Sequence, residues 1–240
     1  MAGAAVLGRL TWRLAEVADV AEETPRTRTL VLDVEGWSGH RAGQHVDIRL
    51  TAEDGYQAER SYSIASGPDD DRLELTVERI DDGEVSPYLV DEVRGGDTFE
   101  LRGPIGGYFA WSPGDGGPLL LVGGGSGVVP LRSMLRARPD DVPAKLIYSA
   151  RTYEDVIYRD ELSALDDDVL LTLTREQRDG VRAGRVDADL LRDAAFAPAE
   201  DPRVFVCGPT SFVESVASAL VELGHAPERI RTERFGPTGR

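Results

Sequence analysis

The sequence predicts two domains in tandem: an antiparallel β-barrel of Greek-key type over residues 8–111, then an α/β domain with a parallel, Rossmann-like sheet over residues 119–236. Three observations predict it. A chain of 240 residues can bury two separate cores. The apolar period is two in the first half, while the second half alternates wholly apolar runs with helical stretches. Between them Trp111-Ser112-Pro113-Gly114-Asp115-Gly116-Gly117-Pro118 concentrates proline and glycine without periodicity, so residues 112–118 read as a linker. Residues 237–240 read as a C-terminal tail.

In the first half, residues 30–34, 46–50, 73–77 and 98–102 mostly alternate apolar with polar side chains, as half-buried antiparallel strands do. Residues 60–66 close a further strand. Glycines punctuate the series at short intervals, which suits a small closed barrel. One helix is expected at about residues 86–93, with Pro87 at its first position. In the second half the runs at 119–122, 145–148, 169–173 and 204–206 look like buried strands. Helical stretches lie between or after them, which implies a parallel sheet covered on both faces.

Composition excludes several classes. Forty-three acidic against 27 basic side chains give a formal charge of −16, so the average surface repels nucleic acid and anionic membranes. The single cysteine, Cys207, leaves no ligand set for a cysteine-held iron–sulfur cluster or a four-cysteine zinc site. His40, His45 and His225 show no metal spacing, so no metal is expected. Met1 to Leu10 lacks the features of a secretory signal, and no apolar run approaches the roughly 20 residues of a bilayer span. A cytoplasmic protein without membrane insertion is the expectation.

The strand at 119–122 runs into Gly123-Gly124-Gly125-Ser126-Gly127 and then a helix, which aims bare backbone N–H groups at one point, as a pyrophosphate requires. A close strand-to-helix connection would look the same. The next strand ends in Tyr148-Ser149-Ala150-Arg151, where an acidic residue would select the ribose hydroxyl of NADH; an arginine there can instead grip a 2′-phosphate. Thr174-Arg175 follows the third strand, and Arg185 comes soon after. Arg60-Ser61-Tyr62-Ser63 sets a cation, an aromatic ring and a hydroxyl within four residues, the groups a flavin could use for its pyrophosphate, its ring and N5. Periodicity alone equally allows an ordinary amphipathic strand.

From about Trp12 to Phe235 these motifs resemble the ferredoxin–NADP⁺ reductase family of flavoproteins. Arg60, Ser61, Tyr62 and Ser63 are similar to its flavin motif, which implies that Arg60 holds the FAD pyrophosphate, Tyr62 packs on the isoalloxazine and Ser63 approaches N5. Val77, Glu78 and Arg79 fall where the family lines the ribityl and phosphate portions. Gly83, Val85 and Ser86 resemble the element that receives the flavin phosphates. The resemblance places the nicotinamide side at Gly124, Gly125, Ser126 and Gly127. It puts the 2′-phosphate at Arg151, Thr174, Arg175 and Arg185, which favours NADPH and leaves NADH open. Cys207, Gly208 and Pro209 look like the motif whose cysteine lies against the nicotinamide; the cysteine could equally be a small apolar strand residue. Glu233 and Phe235 resemble the terminal acid and ring brought to the flavin, although here the chain continues past Phe235. The resemblance implies that Ser63, Cys207 and Glu233 serve hydride transfer from NADPH to FAD.

Some relatives carry a fused ferredoxin domain, for which this chain has neither the length nor the cysteines. A separate acceptor is therefore expected: a ferredoxin, a flavodoxin, an oxygenase or another redox enzyme, served by a monomeric reductase. The alternatives are an NAD(P)H:free-flavin reductase and a non-catalytic flavin-binding electron-transfer or regulatory subunit.

Overall fold

A computed structural model describes residues 10–165 and 168–236, so the predicted barrel's first two positions and the 237–240 tail lie outside the described residues. Six strands form the first sheet: β1 Arg13–Thr24, β2 Thr27–Val34, β3 His45–Thr51, β4 Gln57–Ser63, β5 Leu73–Glu78 and β6 Thr98–Ile105. Their order is β4-β3-β6-β1-β2-β5, all neighbours antiparallel. The edges meet where Ile64 bridges Leu75 and Ala65 N–H donates to Glu74 O at 2.8 Å. That bridge closes the barrel, and β6, coming after the β3-β4-β5 succession, returns to lie between β3 and β1, which is a Greek key. Side chains at alternate positions, among them Val46, Ile48, Leu30, Leu32 and Leu75, fill the interior.

Pro87 (φ −60°, ψ −45°) starts the expected helix, which runs as one π-type turn, Tyr88–Glu92, and buries Leu89 and Val90 in the barrel's end. In this sheet β1 is the strand that periodicity did not predict; the strands Arg182–Ala183 and Ile230–Phe235 of the second sheet are the others.

The second sheet is parallel, with order β10-β9-β8-β7-β11-β12. Its members are β7 Leu119–Gly124, β8 Ala144–Ala150, β9 Val169–Leu173, β10 Arg182–Ala183, β11 Arg203–Pro209 and β12 Ile230–Phe235. Helices α1 Val128–Ala137 and α2 Arg159–Ser163 cover one face, packing against Leu119, Leu121, Leu146 and Phe205. Helices α3 Ala188–Ala194 and α4 Thr210–Glu222 cover the other, against Leu120, Val122, Ile147 and Val204. Residues one apart on β7 thus feed different cores, which is why that strand is apolar throughout.

The two units share a core. Ala42, Ala65, Phe109 and Trp111 from the barrel side join the cluster that holds Met134 and Phe205. Phe109 meets Phe205 edge to face at 5.4 Å between centroids, and Arg231 donates to Ala110 O at 2.8 Å. No helix among the described residues is long and apolar enough to cross a membrane.

Candidate active site at the domain junction

β4 carries the proposed flavin motif. Its residues pair with β3, Tyr62 opposite Val46 and Ser63 opposite His45. Tyr62 turns inward against the barrel core, and burial raises its phenol far above the ordinary range. On the outer face Ser61 Oγ donates to Asp47 Oδ1 at 2.6 Å. Arg60 stays half exposed, with one acidic neighbour, Glu84, at 3.3 Å. Tyr56 donates its hydroxyl to the same carboxylate at 2.9 Å. Beside this trio lies an open groove of about 690 Å³ between the β3–β4 hairpin and the 88–92 turn, lined by Tyr56, Ala58, Glu84 and Tyr88.

The neighbouring segment is differently engaged. Val77 and Val85 are buried in the barrel core and could offer a cofactor only backbone atoms; Glu78 is half-buried. The guanidinium of Arg79 is held by Asp91 at 2.8 Å and by Asp81, so it is spent on fastening the strand end to the 88–92 turn. Ser86 does not cap that turn; its buried Oγ accepts from Ile80 N–H at 3.0 Å, inside a tight loop that also contains Gly83. A single turn carries little macrodipole, which leaves the exposed guanidinium of Arg60 as the motif's accessible cation on this side.

In the second unit the predicted residues lie along one edge, the carboxyl ends of the parallel strands. β7 ends in Gly124, after which Gly125–Gly127 forms a single turn into α1. Gly125 has φ +56° with open space where a Cβ would be, a bare backbone facing outward beside half-buried Ser126. At Gly127 the reason for glycine is steric, since a Cβ would stand 2.1 Å from Cys207 O. Phe212, at the start of α4, lays its ring on Gly124 and Gly208, within 3.0 and 2.8 Å of where their Cβ atoms would be. Its ring covers both glycines, and no sequence pattern marked it.

Arg151 follows β8, and Thr174 and Arg175 follow β9. Backbone bonds join them: Thr174 N–H donates to Ala150 O at 3.0 Å and Arg175 N–H to Arg151 O at 2.8 Å. Gly184 N–H donates to Leu173 O at 2.8 Å, which brings Arg185 to the same place. These three arginines are exposed and, among the described residues, none has a carboxylate within 4.0 Å. Most other arginines of this acidic chain are paired, so the cluster is a patch of positive charge without a carboxylate partner among the described residues.

At the sheet's centre Cys207 pairs in register with Gly123 of β7 and Glu233 of β12, and Pro209 pairs with Phe235. Burial, and then the nearby charge of Glu233, push the Cys207 thiol well up, so it is a neutral group and not a nucleophile. Burial also lifts the Glu233 carboxyl to about 7, and its Oε2 has no hydrogen-bond partner among the described residues. Phe235 is half-buried against the core.

The halves meet here. β5, bridged to the end of the flavin-motif strand, runs beside the 125–127 turn. Ser133 of α1 donates to Ser66 O at 2.7 Å, and Arg132 reaches Glu74 and Ala65 O. Arg132 was missed by the motif reading, yet it had a signal: it shares the helix stripe of Val128, Leu131 and Leu135, where an apolar residue is expected.

A family model described as an oxidoreductase FAD-binding domain matches residues 12–110, and one described as an oxidoreductase NAD-binding domain matches residues 121–218. Ferredoxin--NADP reductase B of Sorangium cellulosum is 38% identical over 209 residues, which cover 81% of this chain and 84% of that protein. The ferredoxin reductase component of 3-ketosteroid-9-alpha-monooxygenase from Rhodococcus rhodochrous is 33% identical over 91% of this chain, and the match spans only 64% of that protein's length. Among solved structures, a ferredoxin NADP+ reductase from Neisseria gonorrhoeae with bound FAD and NADP superposes with a TM-score of 0.79 at 25% identity, covering 93% of this chain and 98% of the other.

Proposed function

Since the chain belongs to the ferredoxin–NADP⁺ reductase family of FAD- and NAD(P)-binding oxidoreductases, we propose that it takes hydride from NADPH and passes the electrons to a separate acceptor protein. One observation supports this most: the strand that ends in Arg60-Ser61-Tyr62-Ser63 is bridged to β5, and β5 runs beside the glycine turn. A flavin along β4 and a nicotinamide over the turn would share one junction.

The residues present fit both groups. Arg60 would hold the flavin pyrophosphate once Glu84 gives it up, Tyr62 would back the ring, and Ser63 would lie near N5. The groove beside Tyr56 has room for the adenosine end. Bound FAD supplies a two-electron hydride acceptor that can release electrons singly. Arg151, Thr174, Arg175 and Arg185 would take the 2′-phosphate, which supports NADPH over NADH. Gly124, Gly125, Ser126, Gly127, Gly208 and Pro209 would let the dinucleotide approach the backbone. Cys207 would bound the nicotinamide, and Glu233 would hold or release a proton beside it, Oε2 having no hydrogen-bond partner among the described residues. Phe235 would cover part of the flavin.

Relatives described as reductase components of monooxygenase and dioxygenase systems support an oxygenase component or a ferredoxin as acceptor. A monomeric, cytoplasmic protein whose two domains are joined by a linker at residues 112–118 completes the proposal. The test is anaerobic mixing of the purified, FAD-loaded protein with NADPH. The flavin absorbance at about 450 nm should bleach within seconds. A protein that takes up no FAD, or whose flavin stays oxidised under NADPH, would overturn the assignment.

A further inference from the structure

We infer that Arg132 is a positioning residue: it clamps the helix that follows the glycine turn onto the barrel's closing seam, and so sets the distance between nicotinamide and flavin. The inference rests on the proposed placement of the two cofactors.

Arg132 lies in the second turn of α1, the helix that starts directly after Gly125–Gly127. Its side chain is only 7% exposed. The planar head makes three different attachments. Nη1 donates to Glu74 Oε2 at 2.6 Å and, at 3.4 Å, to Ala65 O; Nε donates to Glu161 Oε2 at 2.8 Å; and the guanidinium carbon sits 4.2 Å from the Tyr158 ring centroid.

Each attachment has its own anchor. Glu74 and Ala65 are the two residues whose backbones close the barrel, and Glu74 N–H is further held by Ser66 Oγ at 3.1 Å. Glu161, on α2, is also gripped by Arg136 at 2.9 Å, and Arg136 reaches Asp70 at 2.8 Å. Tyr158 adopts a left-handed backbone (φ +59°), a conformation a bulky residue keeps only where its surroundings dictate it. Its hydroxyl donates to Thr76 of β5 and its N–H to Glu23 of β1 at 3.2 Å.

A buried ion pair of this kind is a poor source of stability, because desolvation offsets most of its attraction. What it confers is direction. Apolar contacts such as Met134 against Gly43 tolerate small sliding, whereas a planar fork with fixed acceptors does not. The fork ties the strand end at Ala65, two residues past Ser63, to a helix that starts one residue past Gly127. Hydride transfer depends on sub-ångström alignment, so it is the property this clamp would control.

Arg132→Lys keeps the charge and removes the fork. The expected result is a folded protein with full FAD content and an NADPH dissociation constant within about twofold of the parent. The long-wavelength charge-transfer absorbance of reduced flavin with NADP⁺, and the rate of hydride transfer, should both fall by about tenfold or more. Amide hydrogen exchange at residues 65–66 and 125–128 should quicken in the same variant, with or without flavin. Unchanged charge-transfer absorbance and hydride transfer in FAD-loaded Arg132→Lys would overturn the inference, as would a loss carried wholly by weaker NADPH binding. Should that variant not fold, Glu161→Gln on the network's rim is judged by the same readings, and parent-like behaviour overturns the inference. If the parent itself takes up no FAD, the functional reading fails on its own; amide exchange in the flavin-free variant then decides the clamp, and unaltered protection at the seam refutes it.

Discussion

Glu233 is a half-buried acid whose Oε2 is shut away from solvent beside Cys207, and its ionisation should be visible in the stability of the whole protein. Its carboxyl sits at about 7 in the fold against 4.5 for an ordinary glutamate, burial being the cause. The gap of about 2.5 units corresponds to about 3 kcal/mol at full development. The sign follows from which state holds the proton. Below pH 4.5 both native and unfolded chains carry it and nothing is lost. Between 4.5 and about 7 the unfolded chain has released its proton while the native one keeps it, so rising pH favours unfolding, and above 7 the loss levels off. From pH 5 to pH 8 the loss attributable to Glu233 is on the order of 2 to 3 kcal/mol. Urea unfolding followed by tryptophan fluorescence, Trp111 being fully buried, measures it in parent and Glu233→Gln without added nucleotide. The parent should lose stability across that window relative to the variant, whose amide cannot ionise. Parallel pH profiles for the two proteins would show that the carboxyl titrates as an exposed one does and would remove the proposed proton-holding role.

The nucleotide site predicts that Arg175→Ala with Arg185→Ala raises KM for NADPH at least tenfold and leaves KM for NADH within about twofold, a charge-assisted contact being worth about 1.5–3 kcal/mol; steady-state kinetics with both nucleotides checks it. Arg60→Ala should weaken FAD binding by about 10- to 100-fold on the same grounds, read by fluorescence titration of the apoprotein. Gly127→Ala places a Cβ against Cys207 O, backbone against backbone, so a drop in stability of about 1–3 kcal/mol or failure to accumulate is expected in thermal melts. Native protein should resist a thiol reagent at pH 8 and react fully at Cys207 once unfolded, because the thiol is buried and its ionisation is suppressed.

Where the hydrophobic pattern is local and one-sided, the fold can be read directly from the chain. β3 and β5 alternate apolar with polar residues, β2 does so only in part because Leu30, Val31 and Leu32 follow one another, and β7 is apolar because it feeds a core on each face. β1 escaped for a physical reason. Its Leu14 is 61% exposed, its buried positions begin with a small alanine, and a register shift between Val17 and Asp19 breaks the period. β12 carries three polar residues between Ile230 and Glu233 inclusive, and is a strand because β11 offers it a parallel edge. Such tertiary overrides leave no trace in a window of six residues.

The site divides along the same line. A glycine turn after an apolar strand is a local device, and so are arginines that follow strand ends, because the parallel topology itself gathers those ends on one edge. What a chain position does not reveal is which partner a side chain finds. Arg79 and Ser86 sit in a motif-like segment, yet Asp91 and the Ile80 N–H claim them first. Among the described residues Arg151, Arg175 and Arg185 have no carboxylate partner, although acids outnumber bases 43 to 27 in the chain. In so acidic a chain, leaving three cations at one place without partners has a cost that neighbouring aspartates could have removed. The arrangement is therefore best explained by an anion that is not part of the protein. Arg132 makes the converse case: a charge on an apolar stripe must find acids, and it finds Glu74 on the barrel and Glu161 on α2, which commits the two domains to one relative position.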